Sequence, residues 1–212
     1  VFNDTVASIE DLTVNSFDAT QSSGSFRPIF KGDHVLFNGS NDFLTMGTAI
    51  SKMPTRTVFC VFEMVSSGLN QRIYSERDSG GSAAHSGLEL IAFSSSGKYR
   101  SAYGDGVNYR FTDSSTSSST SKMLFTEKFS TSSGFLTTMQ IDGIDETETD
   151  AGFGGTATSI GGTAYNLSLG RTGEDTGGYA NYKLYAFLVY DTELSDGDRT
   201  SVNNFLISEF GL

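Results

Sequence analysis

The sequence predicts an all-β fold, an antiparallel two-sheet jelly-roll sandwich closed by one short C-terminal helix. Residues 183–190 are apolar on both alternating faces, as expected of a strand that is covered on both sides. Residues 57–65 form a second, nearly continuous apolar run. Many other short apolar stretches alternate with turn residues, which is typical of sandwiches and jelly rolls. A closed barrel is the alternative.

The last strand and the helix after it are predicted to anchor the fold. Strict alternation along residues 183–190 would place Leu184 and Ala186 on one face, and Tyr185 and Phe187 on the other. The helix that follows should bury an apolar face because four of its side chains have helical spacing. These four side chains are Val202, Phe205, Leu206 and Phe210.

The ends of this helix also carry sequence signals. Ser195 followed by Asp198 resembles a capping box, in which a serine side chain accepts a backbone N–H bond of the first turn. Gly211 suits the helix exit, where a left-handed residue is common.

The first half of the chain is predicted to form short strands joined by tight turns. Residues 35–37 and 43–46 are interpreted as a hairpin around the turn at 38–42, because Asn-Gly accepts positive φ. Residues 1–20 are expected to form a leader and a short edge strand. Further strands are predicted at residues 88–93 and 99–103.

In the second half, residues 112–121 are almost entirely Ser and Thr and are predicted to be an exposed loop. Residues 123–129 and 135–141 are predicted to be paired strands. Residues 144–149 alternate in polar character, as an edge strand would. All 212 residues are interpreted as a single domain.

Charge and cysteine content exclude several classes of function. The net charge of −11 and pI of about 4.5 argue against nucleic acid and anionic membrane surfaces as partners, since both require a basic face. No apolar stretch has the length of a membrane span, so membrane insertion is not expected. The single cysteine, Cys60, cannot form an internal disulfide and is predicted to be a buried small hydrophobe.

Three short motifs resemble those of laminin-G-like, concanavalin-A-like domains. The segment at residues 35–44 is similar to a motif found near the start of those domains. The Asp142-Gly143 turn also fits the pattern of the group. The end of the chain resembles the group's final strand and closing helix, through Tyr190-Asp191, Leu194-Ser195 and Phe210-Gly211. The resemblance implies a jelly roll of the kind found in secreted bacterial proteins, adhesins and phage tails. Most such domains bind or support assembly, and some are glycoside hydrolases.

The acidic segment at residues 142–150 is the sharpest candidate for catalysis. Glu146 and Glu148 would share a strand face with Cα atoms roughly 6.6 Å apart, within the range of about 5 to 10 Å used by glycosidase carboxylates. The residues between them are Thr, and nothing apolar is placed to raise a carboxyl pKa. A solvated edge strand is therefore favoured, no catalytic residue is assigned, and the chain is not expected to be an enzyme.

Aromatic and arginine side chains near turns are the candidate ligand contacts, because sugars are held by ring faces and bidentate polar groups. These candidates are Tyr99, Tyr103, Tyr109, Arg110, Arg72 and Arg171. No cofactor is predicted other than a structural calcium ion, since hard cations prefer carboxylate and amide oxygens. The candidate calcium ligands are Asn38, Asn41, Asp42, Glu174 and Asp175.

The expected function is non-catalytic adhesion, decoration or carbohydrate binding, on a virion, a phage tail or a secreted bacterial protein. The expected partner is a glycan, a cell-surface polysaccharide or a neighbouring structural protein, and the expected location is extracellular or on a virion surface. A glycoside hydrolase or polysaccharide lyase of the same fold is one alternative. A purely structural assembly domain is the other.

Overall fold

The computed structural model describes residues 3–13, 17–47, 53, 55–77, 86–105, 109–130, 138–147, 149–153, 166–173 and 177–212. The strands of the first half are β1 Asp4–Thr5, β2 Ser8–Ile9, β3 Ala19–Thr20, β4 Ile29–Phe30, β5 Val35–Asn38, β6 Leu44–Thr45, β7 Thr55–Met64, β8 Gln71–Ser75, β9 Ser86–Ala92 and β10 Lys98–Asp105. Those of the second half are β11 Tyr109–Ser117, β12 Lys122–Ser130, β13 Thr138–Ile141, β14 Ile144–Asp145, β15 Thr149–Phe153, β16 Ser168–Leu169 and β17 Asn181–Tyr190. A 3₁₀ turn spans Gly24–Phe26, and helix α1 spans Asp196–Phe210.

The strands form two antiparallel sheets, as the sequence predicts. Sheet 1 has the order β1-β4-β5-β17-β7-β12-β13-β14, and sheet 2 has the order β15-β11-β10-β9-β8-β16-β6-β3-β2. The two apolar runs pair with each other at the centre of sheet 1, as β17 and β7. This position explains their composition, because sheet 2 covers their inner face and α1 covers the outer face.

The core between the sheets is rich in aromatic rings. Phe37 and Tyr182 stack with their centroids 4.6 Å apart, and Phe62 meets Tyr182 edge-on. Cys60 is fully buried among these side chains, and burial raises the pKa of its thiol. Cys60 is therefore the buried hydrophobe that the sequence predicts.

The predicted hairpin around residues 38–42 is wrong. β5 lies in sheet 1 and β6 lies in sheet 2, so the turn carries the chain from one sheet to the other. Asp42 is buried at this corner and accepts a hydrogen bond from the backbone N–H of Asn38. An Asn-Gly turn accounts for the sharp change of direction, but it does not specify that the strand after it pairs with the strand before it.

The strict alternation predicted for the last strand is interrupted by a β-bulge. Leu184 lies opposite Phe62 while Ala186 lies opposite Val61, so one extra residue, Tyr185, is accommodated in β17. Tyr185 and Ala186 consequently both face α1, together with Leu188 and Tyr190. Leu184, Phe187 and Val189 instead face sheet 2.

Helix α1 has the predicted caps. Ser195 accepts a hydrogen bond from the backbone N–H of Asp198, and Gly211 ends the helix with φ 64°. Leu206 is buried against Phe59, Val61 and Leu124, but Phe205 is 63% exposed.

The prediction that Phe205 lies on the buried face of α1 is therefore wrong, because polar side chains occupy part of that face. Asn203 accepts a hydrogen bond from the Thr126 hydroxyl and donates one to Gln140, so it fixes α1 to sheet 1. None of the helices in the described ranges has the length and apolar character that a membrane crossing requires.

The Ser/Thr segment is only partly a loop. β11 continues to Ser117, and only the end of the predicted loop lies outside the strand. Ser114 is fully buried, accepting a hydrogen bond from the Tyr99 N–H and donating one to the Thr116 carbonyl. Small hydroxyl side chains are accommodated in a strand when their oxygens find local partners.

Candidate functional site

A fully buried ionic cluster joins the two sheets. The Arg56 guanidinium of β7 donates two hydrogen bonds to Glu76, which follows β8, at 2.6 and 2.9 Å. Glu127 of β12 accepts hydrogen bonds from the Tyr74 hydroxyl and, at 2.6 Å, from the Ser101 hydroxyl. Because these side chains are almost inaccessible, the cluster holds the sheets together and does not offer a ligand surface.

Glu127 makes the stability of this cluster depend on pH. Burial raises the pKa of Glu127, although the hydrogen bonds from Ser101 and Tyr74 and the charge of Arg56 oppose the shift. The folded state therefore holds this proton more tightly than the unfolded chain, whose ordinary pKa is 4.5. The resulting stabilisation is complete below that value and is lost as pH rises through the folded pKa.

Glu127→Gln is expected to remove this dependence, because the amide cannot ionise but can still accept and donate hydrogen bonds. The difference in free energy of unfolding, variant minus wild type, should grow in the variant's favour as pH rises from about 4.5 towards neutrality. Urea denaturation at a series of pH values measures it. A difference that stays constant with pH would contradict the assignment.

The predicted ligand contacts are dispersed by the fold. Tyr99 and Tyr103 lie in the core at 1% and 6% exposure, and the Tyr99 hydroxyl donates to the Ser119 carbonyl. Arg110 lies opposite Tyr103 in β11 and is half-buried. Tyr109 begins β11, and its side chain lies outside the described part of the structure. Tyr99 and Tyr103 therefore do not offer ring faces to a ligand at the surface.

The two remaining arginines have protein partners. Arg72 donates to the Asn70 carbonyl and lies 3.5 Å from Glu89. The guanidinium of Arg171 stacks 3.5 Å from the centroid of Phe43, which immediately follows the 38–42 turn. The fold thus brings Arg171 to the predicted calcium turn, a proximity that their separation in sequence does not reveal.

The 38–42 turn uses its side-chain oxygens internally. The Oδ1 atom of Asn38 accepts backbone N–H bonds from Ser40, Asn41 and Asp42, and the Asn38 amide donates to Asn41 at 2.7 Å. These oxygens face N–H donors, an arrangement that does not fit a cation in this conformation. Burial raises the pKa of Asp42, which is also unfavourable for a metal-binding carboxylate.

Calcium binding stays a prediction. Glu174 and Asp175 lie outside the described residues. Within the described part of the chain, no three His, Cys, Asp or Glu side chains converge in a way that could hold a metal ion.

An open pocket of about 420 Å³ lies where the first turn of α1 meets the edge of sheet 1. β12, β13, the β14 edge and the helix each contribute to its wall. The lining residues are Lys128, Thr138, Met139, Asp145, Glu146, Asp196 and Arg199.

The cationic side chains of this pocket are recessed. The side chain of Lys128 is 13% exposed and that of Arg199 is 9% exposed. Both lie 3.2 Å from the same Oδ1 atom of Asp196, and Arg199 also lies 3.5 Å from Asp145. The Nε atom of Arg199 is buried and has no hydrogen-bond partner.

The carboxylates of the pocket are more accessible. The side chains of Asp145 and Asp196 are 76% and 79% exposed. Asp145 accepts a hydrogen bond from the Gln140 amide at 2.7 Å, which fixes one oxygen. The hydrogen bond and charge of Lys128, followed by the charge of Arg199, lower the pKa of Asp196. The pocket thus presents ionised acceptors to solvent and keeps its donors behind them.

Glu146, the sharpest catalytic candidate of the sequence, is tied to sheet 2. Its carboxylate accepts hydrogen bonds from the Ser115 hydroxyl and from both the N–H and the hydroxyl of Thr116, at 2.6 to 2.8 Å. Partial burial acts to raise the pKa of Glu146, but these bonds outweigh it and the pKa is lowered. A general acid requires a raised pKa. Glu148 lies outside the described residues.

The sequence indicated only part of the acidic side of the pocket, the segment at residues 142–150. Asp145 and Glu146 stood out within the acidic segment, whereas Lys128 and Arg199 did not. One signal was available for Arg199, which follows Asp196 by three residues and therefore shares its helix face.

The two-sheet fold is similar to those of ligand-binding and sugar-processing proteins. The chain superposes on the binding domain of Paraclostridial Mosquitocidal Protein 1 with a TM-score of 0.66 and 14% identity, covering 98% of this chain and 52% of that one. It superposes on the Trypanosoma rangeli sialidase in complex with 2,3-difluorosialic acid with a TM-score of 0.64 and 10% identity, covering 96% of this chain and 32% of the sialidase. It superposes on the botulinum neurotoxin serotype D ligand-binding domain in complex with N-acetylneuraminic acid with a TM-score of 0.57 and 11% identity, covering 96% of this chain and 51% of that domain.

These similarities establish the class of fold, a two-sheet β-sandwich. The chain spans about a third of the sialidase and about half of each toxin domain. No protein-family model matches the sequence, and no curated protein is detectably similar to it. The jelly-roll fold implied by the sequence motifs is thus confirmed, while membership of the laminin-G-like family stays a prediction.

Proposed function

We propose that this chain is a non-catalytic carbohydrate-binding module, and that the pocket between α1 and the edge of sheet 1 is its binding site. The observation that carries the proposal is the convergence of charged donors and acceptors from β12, β14 and α1 on one open pocket. Sugar hydroxyls both donate and accept, so they are suited to a wall that offers both functions side by side. The fold shared with toxin binding domains supports this proposal.

Binding is favoured over hydrolysis by the state of the carboxylates. The pKa values of Glu146 and Asp196 are both lowered, for the reasons given above, so neither carboxyl is suited to hold a proton at neutral pH. We further propose a role in adhesion or decoration, on a virion, a phage tail or a secreted bacterial protein. The proposed location is extracellular or on a virion surface.

The test is a glycan array probed with the full chain, using a matched pair of variants. Thr138→Arg places a long side chain into the pocket from an exposed position and is expected to weaken binding at least about tenfold. Thr200→Arg makes the same chemical change at an exposed position of α1 that does not line the pocket, and should bind as the wild type does.

Three results would overturn parts of the proposal. An array on which no glycan is bound would favour a purely structural assembly role. Equal binding by both arginine variants would place the site elsewhere on the molecule. Release of reducing ends from a polysaccharide, lost in Glu146→Gln, would establish the glycoside hydrolase alternative.

A further inference from the structure

We propose that the pocket selects glycans that carry a free, protonated amino group and disfavours acidic glycans. This inference rests on the proposed carbohydrate-binding function and concerns the ligand class of the same pocket. It departs from the ligand of the neurotoxin D domain, whose structure contains the acidic sugar N-acetylneuraminic acid.

The first argument is the balance of charge. Three carboxylates line the pocket, those of Asp145, Glu146 and Asp196, against the two cations Lys128 and Arg199. A further carboxylate, Glu193, lies 3.5 Å from Lys128 and so offsets its charge from outside the lining. A ligand carboxylate would therefore enter a region of net negative charge, in a protein whose formal net charge is already −11.

The second argument is the order of these groups from solvent inwards. Asp145 and Asp196 are more than three-quarters exposed, whereas Lys128 and Arg199 are each less than one-seventh exposed. An approaching ligand thus meets acceptors before donors. Hydroxyl and ammonium groups satisfy these acceptors, and an ammonium group also gains from the charge.

The third argument is that the terminal nitrogen of Arg199 is already engaged, since it lies 3.2 Å from Asp196 and 3.5 Å from Asp145. The Nε atom of Arg199 is buried and is not a donor that a ligand can reach. A ligand carboxylate would therefore have to displace one of the two aspartates from Arg199, whereas an ammonium group can contact their outer oxygens without breaking either ion pair. An amino sugar thus fits the pocket better than an acidic sugar does.

The test compares chitosan oligosaccharides with chitin oligosaccharides of the same length, which differ in replacing each free amine by a neutral acetamide. Isothermal titration calorimetry with the full chain at about pH 6, where the amine is protonated, should give an affinity about tenfold higher for chitosan. Sialyllactose should bind more weakly than either. Added salt should reduce the chitosan preference, since exposed charges are screened.

Two variants and one control distinguish binding at the pocket from non-specific attraction of the cationic glycan to the acidic protein. Asp145→Asn and Asp196→Asn should each bring the ratio of the two affinities closer to one, while chitin affinity stays within about twofold. Glu209→Gln removes the same charge from an exposed position near the other end of α1 and should leave the ratio unchanged. Circular dichroism confirms that each variant is folded.

The outcomes separate the two proposals. Equal affinity for chitosan and chitin, tighter binding of sialyllactose, or a Glu209→Gln effect as large as that of Asp196→Asn would overturn the amino-sugar inference and leave carbohydrate binding intact. Absence of binding to all three glycans would overturn the proposed function itself.

Discussion

Replacing Arg56 with methionine is expected to lower the free energy of unfolding by about 3 to 5 kcal/mol, because it leaves the charge of Glu76 buried without its cation. Arg56 is 1% exposed and Glu76 is equally inaccessible, so water cannot substitute for the lost guanidinium without opening the sandwich. Urea denaturation at neutral pH, followed by circular dichroism, measures the change.

The double variant Arg56→Met, Glu76→Gln is the informative control. The glutamine amide is neutral, and its carbonyl can still accept the Leu88 N–H that Glu76 accepts at 3.1 Å. Most of the lost stability should therefore return, since replacing both partners of a buried pair is often nearly neutral. A double variant as unstable as the single one would show that Arg56 acts mainly through packing.

Leu206→Ala is expected to lower the free energy of unfolding by about 2 to 5 kcal/mol, the usual range for truncating a buried leucine. Leu206 is 2% exposed and packs against Phe59, Val61 and Leu124. The change removes apolar contact and leaves a cavity under the helix. Urea denaturation again provides the measurement.

Phe205→Ala is the matched control on the same helix. Phe205 is 63% exposed, so its truncation should change stability by no more than about 0.5 kcal/mol. A larger effect for Phe205→Ala than for Leu206→Ala would contradict the observed orientation of α1. Because α1 carries Asp196 and Arg199, Leu206→Ala should also weaken any binding at the pocket more than Phe205→Ala does.

Local signals in the sequence predict the individual strands and the helix better than they predict which strands pair with each other. The helix caps at Ser195 and Gly211 and the central strands β7 and β17 follow from short-range rules and are confirmed. The predicted burial is confirmed for β7, whereas residues 185–190 of β17 are only partly buried. The bulge at Tyr185 could not be predicted, because it is defined by pairing with Val61, more than a hundred residues away. Likewise, nothing in the Asn38-Gly39 turn specifies which sheet receives the next strand.

The candidate site was harder to predict for the same reason. Lys128, Asp145 and Arg199 belong to three separate elements, and only tertiary packing places them around one pocket. Arg199 and Asn203 are polar, so hydropathy gives no indication of their burial, which hydrogen bonds and ion pairs allow. Tyr99 and Tyr103, two of the predicted ligand contacts, instead fill the core.

The extra residue, Tyr185, shifts the alternation of side chains in the central strand β17 by one position. Even-numbered side chains face sheet 2 before it and odd-numbered ones do so after it, so removing this residue would restore regular alternation and leave the later side chains on their present faces. Leu188 and Tyr190 would still face the helix, but the strand would lose the Tyr185 hydroxyl that donates to Glu63 and the ring that contacts Phe210. A one-residue deletion should therefore be tolerated better at the bulge than in the regular part of β17, where it would turn the side chains on one side of it to the wrong face.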